Sequence, residues 1–146
     1  MSVASVLRIA GSALTAQRLR MDVTSSNIAN AETTSTPEGG PYRRASVVFS
    51  VMRPNAGGRP STAGSTPGIS GGVEVRAIVQ DSAPSRQMHD PLHPDADADG
   101  NVAMPNIDLV AETADMLSAS RAYEANITVI SVAKSMAQRA LDIGRA

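Results

Sequence analysis

NIDLVAETADMLSASRAYEANITVISVAKSMAQRALDI, residues 106–143, contains neither glycine nor proline and carries two apolar stripes at helical spacing. One stripe is Leu109, Met116, Tyr123, Ile127, Ile130, Ala137 and Leu141; the other is Val110, Ala114, Leu117, Val129, Val132, Met136 and Ile143. That periodicity predicts a single amphipathic helix. Asn106 is placed to cap its first turn, with Asp108 favoured by the positive end of the helix dipole. Gly144, with Arg139 and Arg145 beside it, ends the helix. At about 1.5 Å per residue the helix runs roughly 55 Å.

A second such segment opens the chain. Over residues 3–28, Val3, Leu7, Ala10, Leu14, Gln17, Met21, Thr24 and Ile28 alternate in steps of four and three, the spacing of a coiled-coil seam. Val6, Ile9, Ala13, Ala16 and Val23 form a stripe beside it. Arg8, Arg18 and Arg20 limit how completely this helix can be enclosed, and Thr24, Ser25, Ser26 and Asn27 have weak helix propensity, so it should stop between residues 27 and 30. An antiparallel pair of these helices covers one stripe on each. It leaves the second stripes and the overhang of the longer helix apolar and uncovered, which marks an association surface; repeated contacts that do not close build filaments. The competing arrangement is a compact monomer with the middle of the chain folded over both helices.

The middle is richer in Gly, Pro, Ser and Asp. Residues 32–41 read as a loop, 42–52 and 72–80 as paired strands, 53–71 as a flexible loop and 81–104 as an extended stretch. The fold class is therefore α+β, mainly α. An antiparallel coiled-coil-like stem from 1–31 and 106–146 should carry a small β-rich insertion over 32–105.

Composition narrows the function. Of the 146 residues 42% are hydrophobic, but the aromatics are only Tyr42, Phe49 and Tyr123, which leaves little to line a small-ligand pocket. A net charge of -1 lacks the basic footprint of a nucleic-acid binder. Lys134 is the only lysine, and with no cysteine neither a disulfide framework nor a thiolate zinc site is available. Arginines interrupt the apolar pattern near the N-terminus, so there is no signal-peptide core to cleave and no membrane span.

Two local patterns suggest metal binding. Asp95, Asp97, Asp99 and Gly100 match the opening of a calcium loop, although Asn106 stands where its bidentate Glu belongs and Pro91 and Pro94 preclude the entering helix. His89 and His93 are four apart, a ligand spacing only on a helix, which Pro91 disfavours. No nucleophile elbow, phosphate-cradling loop or acid/base pair is present, and the glycines of 68–72 miss the dinucleotide pattern, so an enzyme is not expected and no cofactor is implied.

Two stretches carry a more specific signal. SSNIANAETT, residues 25–34, resembles the motif that follows the first helix in bacterial flagellar rod and hook proteins, and SRAYEAN, residues 120–126, resembles their C-terminal helix motif. TPEGGPYRR (36–44), HPDADADGNVAMPNIDLVAE (93–112) and SMAQRALDIGR (135–145) are similar to a proximal-rod subunit of that axial family. The resemblance implies a structural subunit of the basal-body rod in the periplasmic space. It would be exported unfolded and uncleaved by the flagellar type III apparatus and would polymerise through its terminal helices to transmit motor torque. Implied partners are further copies of the chain, other rod proteins, the MS-ring and export-gate side, the distal rod and the export apparatus, with no nucleic acid and no small-molecule substrate.

Assembly contacts are expected from Leu7, Leu14 and Met21 on the first helix and Leu117, Tyr123 and Ile130 on the last. Within the matched motifs, Asn27, Asn30 and Thr33 should hold the helix-to-loop turn through local backbone bonds. Arg121 and Glu124 are spaced to pair within the helix or across subunits, and Asn126 completes that motif. On this reading Tyr123→Ala or Leu117→Ala blocks incorporation and spares export. The competing classes are a secreted calcium-dependent binding module using Asp95, Asp97 and Asp99, and a peptidoglycan-cleaving enzyme, for which no acid/base pair is visible.

Overall fold

The computed structural model describes residues 2–52 and 71–144. The expected loop over 53–71 therefore lies, except for Gly71, outside the described residues, as do Arg145 and Gly68 of the 68–72 glycine cluster. The elements are α1 (Val3–Ala29), β1 (Ala45–Met52), β2 (Gly72–Gln80), β3 (Arg86–His89), β4 (Asn101–Met104) and α2 (Leu109–Ile143). Mainly α with small antiparallel sheets, this is the class the sequence implied.

Ser2 caps α1 by accepting a bond from Ser5 N at 3.2 Å, and Asn30 closes it, its Nδ2 donating to Ser26 O at 2.9 Å. The cap of α2 is Asp108, not the expected Asn106. Asp108 Oδ1 accepts from Val110 N at 2.9 Å and Ala111 N at 3.4 Å, while Asn106 is exposed two residues upstream. Pro105 and Ile107 are drawn inward first, and a carboxylate at the helix start gains from the dipole as well as from the orphan amides. The last turn ends at Gly144 in right-handed geometry.

The helices run antiparallel. Asn27 and Arg20, late in α1, bond Glu112 and Asp115, early in α2, whereas Val3 and Val6 line a groove with Val129, Val132 and Met136. On α2 the seam is Glu112, Met116, Ala119, Tyr123, Asn126, Ile130, Ala133 and Ala137, all buried or half-buried, in alternating steps of four and three. It is displaced from the expected stripe, whose Leu109, Ile127 and Leu141 are exposed. Ala10, Ala16, Ala119 and Ala133 are the buried apolar side chains of the stem, and such small residues let the helices approach closely.

β1 and β2 pair antiparallel from Ala45↔Gln80 to Met52↔Gly72, with an irregularity between Val48 and Phe49 that leaves Arg76 unmatched. The hairpin lies on α1, fixed at two places. Ser12 Oγ accepts from Val73 N at 3.0 Å, and Asn27 takes both the N–H and the C=O of Ala45. These anchors are roughly 22 Å apart along the helix. Ala16 and Leu19 share a cleft with Met52, Val73 and Val75, and Val23 and Thr24 share another with Phe49. Ala16 and Val23, from the second stripe of α1, consequently lie against the insertion, contrary to the expectation that this stripe stays uncovered.

Gly72 permits this approach, since a Cβ there would overlap Ser12 Oγ. Gly72→Val should lift β2 off α1 and cost about 1–3 kcal/mol of unfolding free energy, readable in a urea titration.

Residues 81–104 do not simply extend. β3 and β4 form a second hairpin, Arg86↔Met104 to His89↔Asn101, whose loop turns at Gly100 with φ of 75°. Strands of four residues are too short to display alternation, so the sequence pattern hides them. Among the described elements α2 packs on α1 alone.

Candidate assembly interface

Three segments meet where α1 ends. Asn27 and Glu112 are each 1% exposed, and both are fully engaged. Asn27 Oδ1 accepts from Ala45 N at 2.9 Å and Tyr42 Oη at 3.2 Å, while Nδ2 donates to Ala45 O at 2.8 Å and Glu112 Oε2 at 3.0 Å. Arg44 Nε donates to the other Glu112 oxygen, and Asp115 links Arg44 to Arg20, its Oδ1 taking Arg20 Nη2 at 3.0 Å. A carboxylate out of water is tolerable only when paired and hydrogen-bonded, as Glu112 is. The bonds join α1, the start of β1 and the first turn of α2 into one junction.

The expectation of purely local bonding thus fails for Asn27, which reaches across the chain because its amide matches the N–H and C=O of a strand edge. Asn30 does bond local backbone, at Ser26 O, whereas Thr33 Oγ1 donates to a side chain, Asn30 Oδ1, at 3.2 Å. Sequence reasoning did not single out Glu112, Arg44, Asp115, Arg20 or Tyr42. The available signal was Glu112 itself, a charge in heptad register with Ala119 and Ala133.

The other face of α2 is bare. Every member of its second stripe is exposed, including Leu117 at 52%, Val132 at 53%, Met136 at 63% and Ile143 at 79%. Among the remaining expected contacts, Leu7 is exposed on α1, Leu14 and Met21 are half-buried, and Tyr123, Asn126 and Ile130 lie half-buried in the seam. Arg121 and Glu124 are exposed, and among the described residues no ion pair joins them; water competes well for charges so placed. Asn126 Nδ2 donates to Ala122 O at 2.7 Å.

The acidic turn braces its own hairpin. Asp97 Oδ1 accepts from Asp99 N at 3.0 Å and Asn101 N at 2.8 Å, and Asp95 Oδ2 accepts from Thr34 Oγ1 at 2.7 Å. His89 closes β3 while His93 sits in the loop, accepting from Asp95 N. Among the described residues no three His, Asp or Glu side chains group as a cation site, and no helix is long and apolar enough to cross a membrane.

The sequence of this chain has counterparts among known proteins. Residues 7–35 match the family described as flagella basal body rod protein, and 98–143 match the C-terminal family of flagellar basal body rod FlgEFG proteins. Those two matched segments, which include Asn27, Asn30 and Thr33 on one side and Glu112 with the seam on the other, are of the flagellar rod type. The chain is 48% identical to the flagellar basal-body rod protein FlgC of Borreliella burgdorferi, covering 98% of both chains. It is 42% identical to that of Escherichia coli O157:H7, over 99% of this chain and 100% of the relative, and 41% identical to that of Bacillus subtilis, over 95% and 96%. The chain belongs to the FlgC family of flagellar basal-body rod proteins.

Proposed function

We propose that this chain is a non-enzymatic structural subunit of the proximal rod, polymerising through its terminal helices to transmit torque. The observation that carries the proposal is the second stripe of α2, apolar and exposed along its length, with Val129, Val132 and Met136 only flanking Val3 and Val6 of α1 in an open groove. An apolar face of that extent marks an interaction surface. Helix packing against rod neighbours supplies the cover. In this assignment 1–31 and 106–146 form the rod core and 32–105 lies outside it. The names of the relatives support the basal body as the location.

Torque transmission asks that the subunit not shear internally. The junction of Asn27, Glu112 and Arg44 meets that demand by tying insertion and stem together with charge-assisted bonds. Export through the flagellar type III apparatus suits a chain with no cysteine and one phenylalanine, which is easily threaded unfolded. The periplasmic rod, with the MS-ring side below and the distal rod above, is the setting this reading gives it. Cryo-EM of isolated basal bodies tests the proposal. Side-chain density is expected in the rod with Leu117, Val132 and Met136 against neighbouring helices, and density placing that stripe toward solvent would overturn it.

A further inference from the structure

Between the start of α1 and the distal part of α2 lies an apolar groove of about 310 Å³, with Val3 and Val6 on one side and Val129, Ala133 and Met136 on the other. It is smaller than one turn of a helix, about 10 Å across and about 5.4 Å long. A neighbouring helix laid along Leu117 and Val132 leaves it unfilled, since Val129 stands roughly 60° around α2 from Val132, on the side toward α1. Its occupant must be narrow and apolar, and the surrounding stem favours one that is also acidic. Residues 2–21 and 125–141 carry Arg8, Arg18, Arg20, Lys134 and Arg139 and no acid. Arg20 is paired with Asp115. Lys134 and Arg139, closer to the groove in sequence, are exposed and enter no ion pair among the described residues.

The other end of the molecule presents the matching chemistry. Residues 87–107 carry Asp90, Asp95, Asp97 and Asp99 and no lysine or arginine, and those aspartates enter no ion pair among the described residues. Among them, in the β3–β4 loop, Leu92 is 95% exposed. A lone exposed leucine is ordinary. This one is held out on a braced turn: Asp90 Oδ1 accepts from Leu92 N at 3.2 Å, Asp90 O accepts from His93 N at 3.2 Å, and Asp90 N donates to Gly100 O at 2.9 Å. A side chain presented on backbone already ordered loses little freedom when it docks. The loop is remote from its own groove. Thr34 holds it, through Asp95, beside the end of α1, and Val6 lies roughly 32 Å from Asn27 along that helix.

We propose that the β3–β4 loop of one copy seats Leu92 in this groove of a second copy of the chain, its aspartates facing the cationic end of that copy's stem. The proposal deepens the rod reading and rests on it. Both halves of the contact belong to this chain and lie at opposite ends of it, so copies join head to tail, the arrangement that extends an assembly when it does not close. Burial of the leucine supplies attraction, and the opposed charges set orientation and exclude partners of the wrong sign.

The test uses the full chain, whose lack of cysteine makes introduced thiols unambiguous. With Leu92→Cys and Val129→Cys on one chain, oxidation of purified basal bodies is expected to link copies into disulfide-bonded dimers and longer ladders, while either change alone leaves single chains. A doubly substituted chain that is recovered from basal bodies and stays unlinked overturns the contact. A dimer from Leu92→Cys alone overturns the groove as its seat. Leu92→Ser is expected to melt as the parent does and to be incorporated at least tenfold less in cells that also express the parent; undiminished incorporation overturns the anchor. As the sole copy, Asp99→Lys or Arg139→Glu is expected to lower incorporation severalfold, and the two on one chain to restore it, because every contact between copies is then reversed on both sides. Losses that add instead overturn the choice of a second copy as partner. Absence of the parent chain from basal bodies would sink the rod reading itself.

Discussion

Asn27→Ala is expected to lower the unfolding free energy by about 3 kcal/mol, a large share of the roughly 5–15 kcal/mol that holds a domain of this size together. The methyl group satisfies none of the four partners. Ala45 keeps a backbone N–H and C=O facing the end of α1, Tyr42 loses an acceptor, and Glu112 keeps a buried carboxylate with Arg44 alone. Because those groups stay out of water, the loss exceeds that of a solvent-exposed hydrogen bond, which is about 1 kcal/mol. Asn27→Asp should be worse. It keeps the acceptor toward Ala45 N but removes the donor and sets a second carboxylate 3.0 Å from Glu112 Oε2. Combining Asn27→Ala with Glu112→Leu should cost less than the sum of the two changes, since the second removes a charge that the first had stranded. Urea titrations followed by far-ultraviolet circular dichroism measure all four proteins. A loss below about 1 kcal/mol for Asn27→Ala would show that the junction is ornamental.

That junction also marks the limit of what residue patterns reveal. The helices, their antiparallel order and the β1–β2 hairpin were legible, because a 3.6-residue period over many turns and β-branched runs between glycines report on backbone geometry directly. The seam was misplaced by a few residues for an instructive reason. Periodicity weights large apolar side chains, yet the positions that bring α1 and α2 together are Ala119 and Ala133, with Glu112 and Asn126 in the same heptad register. The large residues Leu117, Val132 and Met136 were correctly read as lying on a second face, and that face is the one left bare. Glu112 was invisible as a structural residue because its partners are 68 and 85 positions away, at Arg44 and Asn27. Only the folded chain brings them together. Asn27 was named for the right motif and the wrong bond, since a helix-ending asparagine and one that pairs with a strand look alike until Ala45 is in place.

Leu117→Glu together with Val132→Glu is expected to abolish incorporation into the rod while leaving the isolated chain as stable as before. Both side chains are about half exposed, Val132 at the open groove it shares with Val3 and Val6, and surface changes of this kind usually alter stability by less than about 0.5 kcal/mol. Val132→Glu even improves helix propensity slightly. In the polymer the same positions are enclosed by a neighbour. A carboxylate buried there without a partner costs several kcal/mol, and since each 1.4 kcal/mol is a factor of ten, two of them should reduce incorporation by well over a hundredfold. Tyr123→Ala provides the contrast. Its ring is half-buried in the seam of its own helix pair, so its loss weakens the subunit first and assembly only as a result. The measurements are thermal melting of purified chains, the amount exported, and the amount recovered in basal bodies. The two-glutamate protein should melt normally, be exported and be missing from the rod, whereas Tyr123→Ala should melt lower. Normal incorporation of the two-glutamate protein would remove the bare face of α2 from the assembly, and with it the physical reason for a helix that keeps its largest apolar side chains in water.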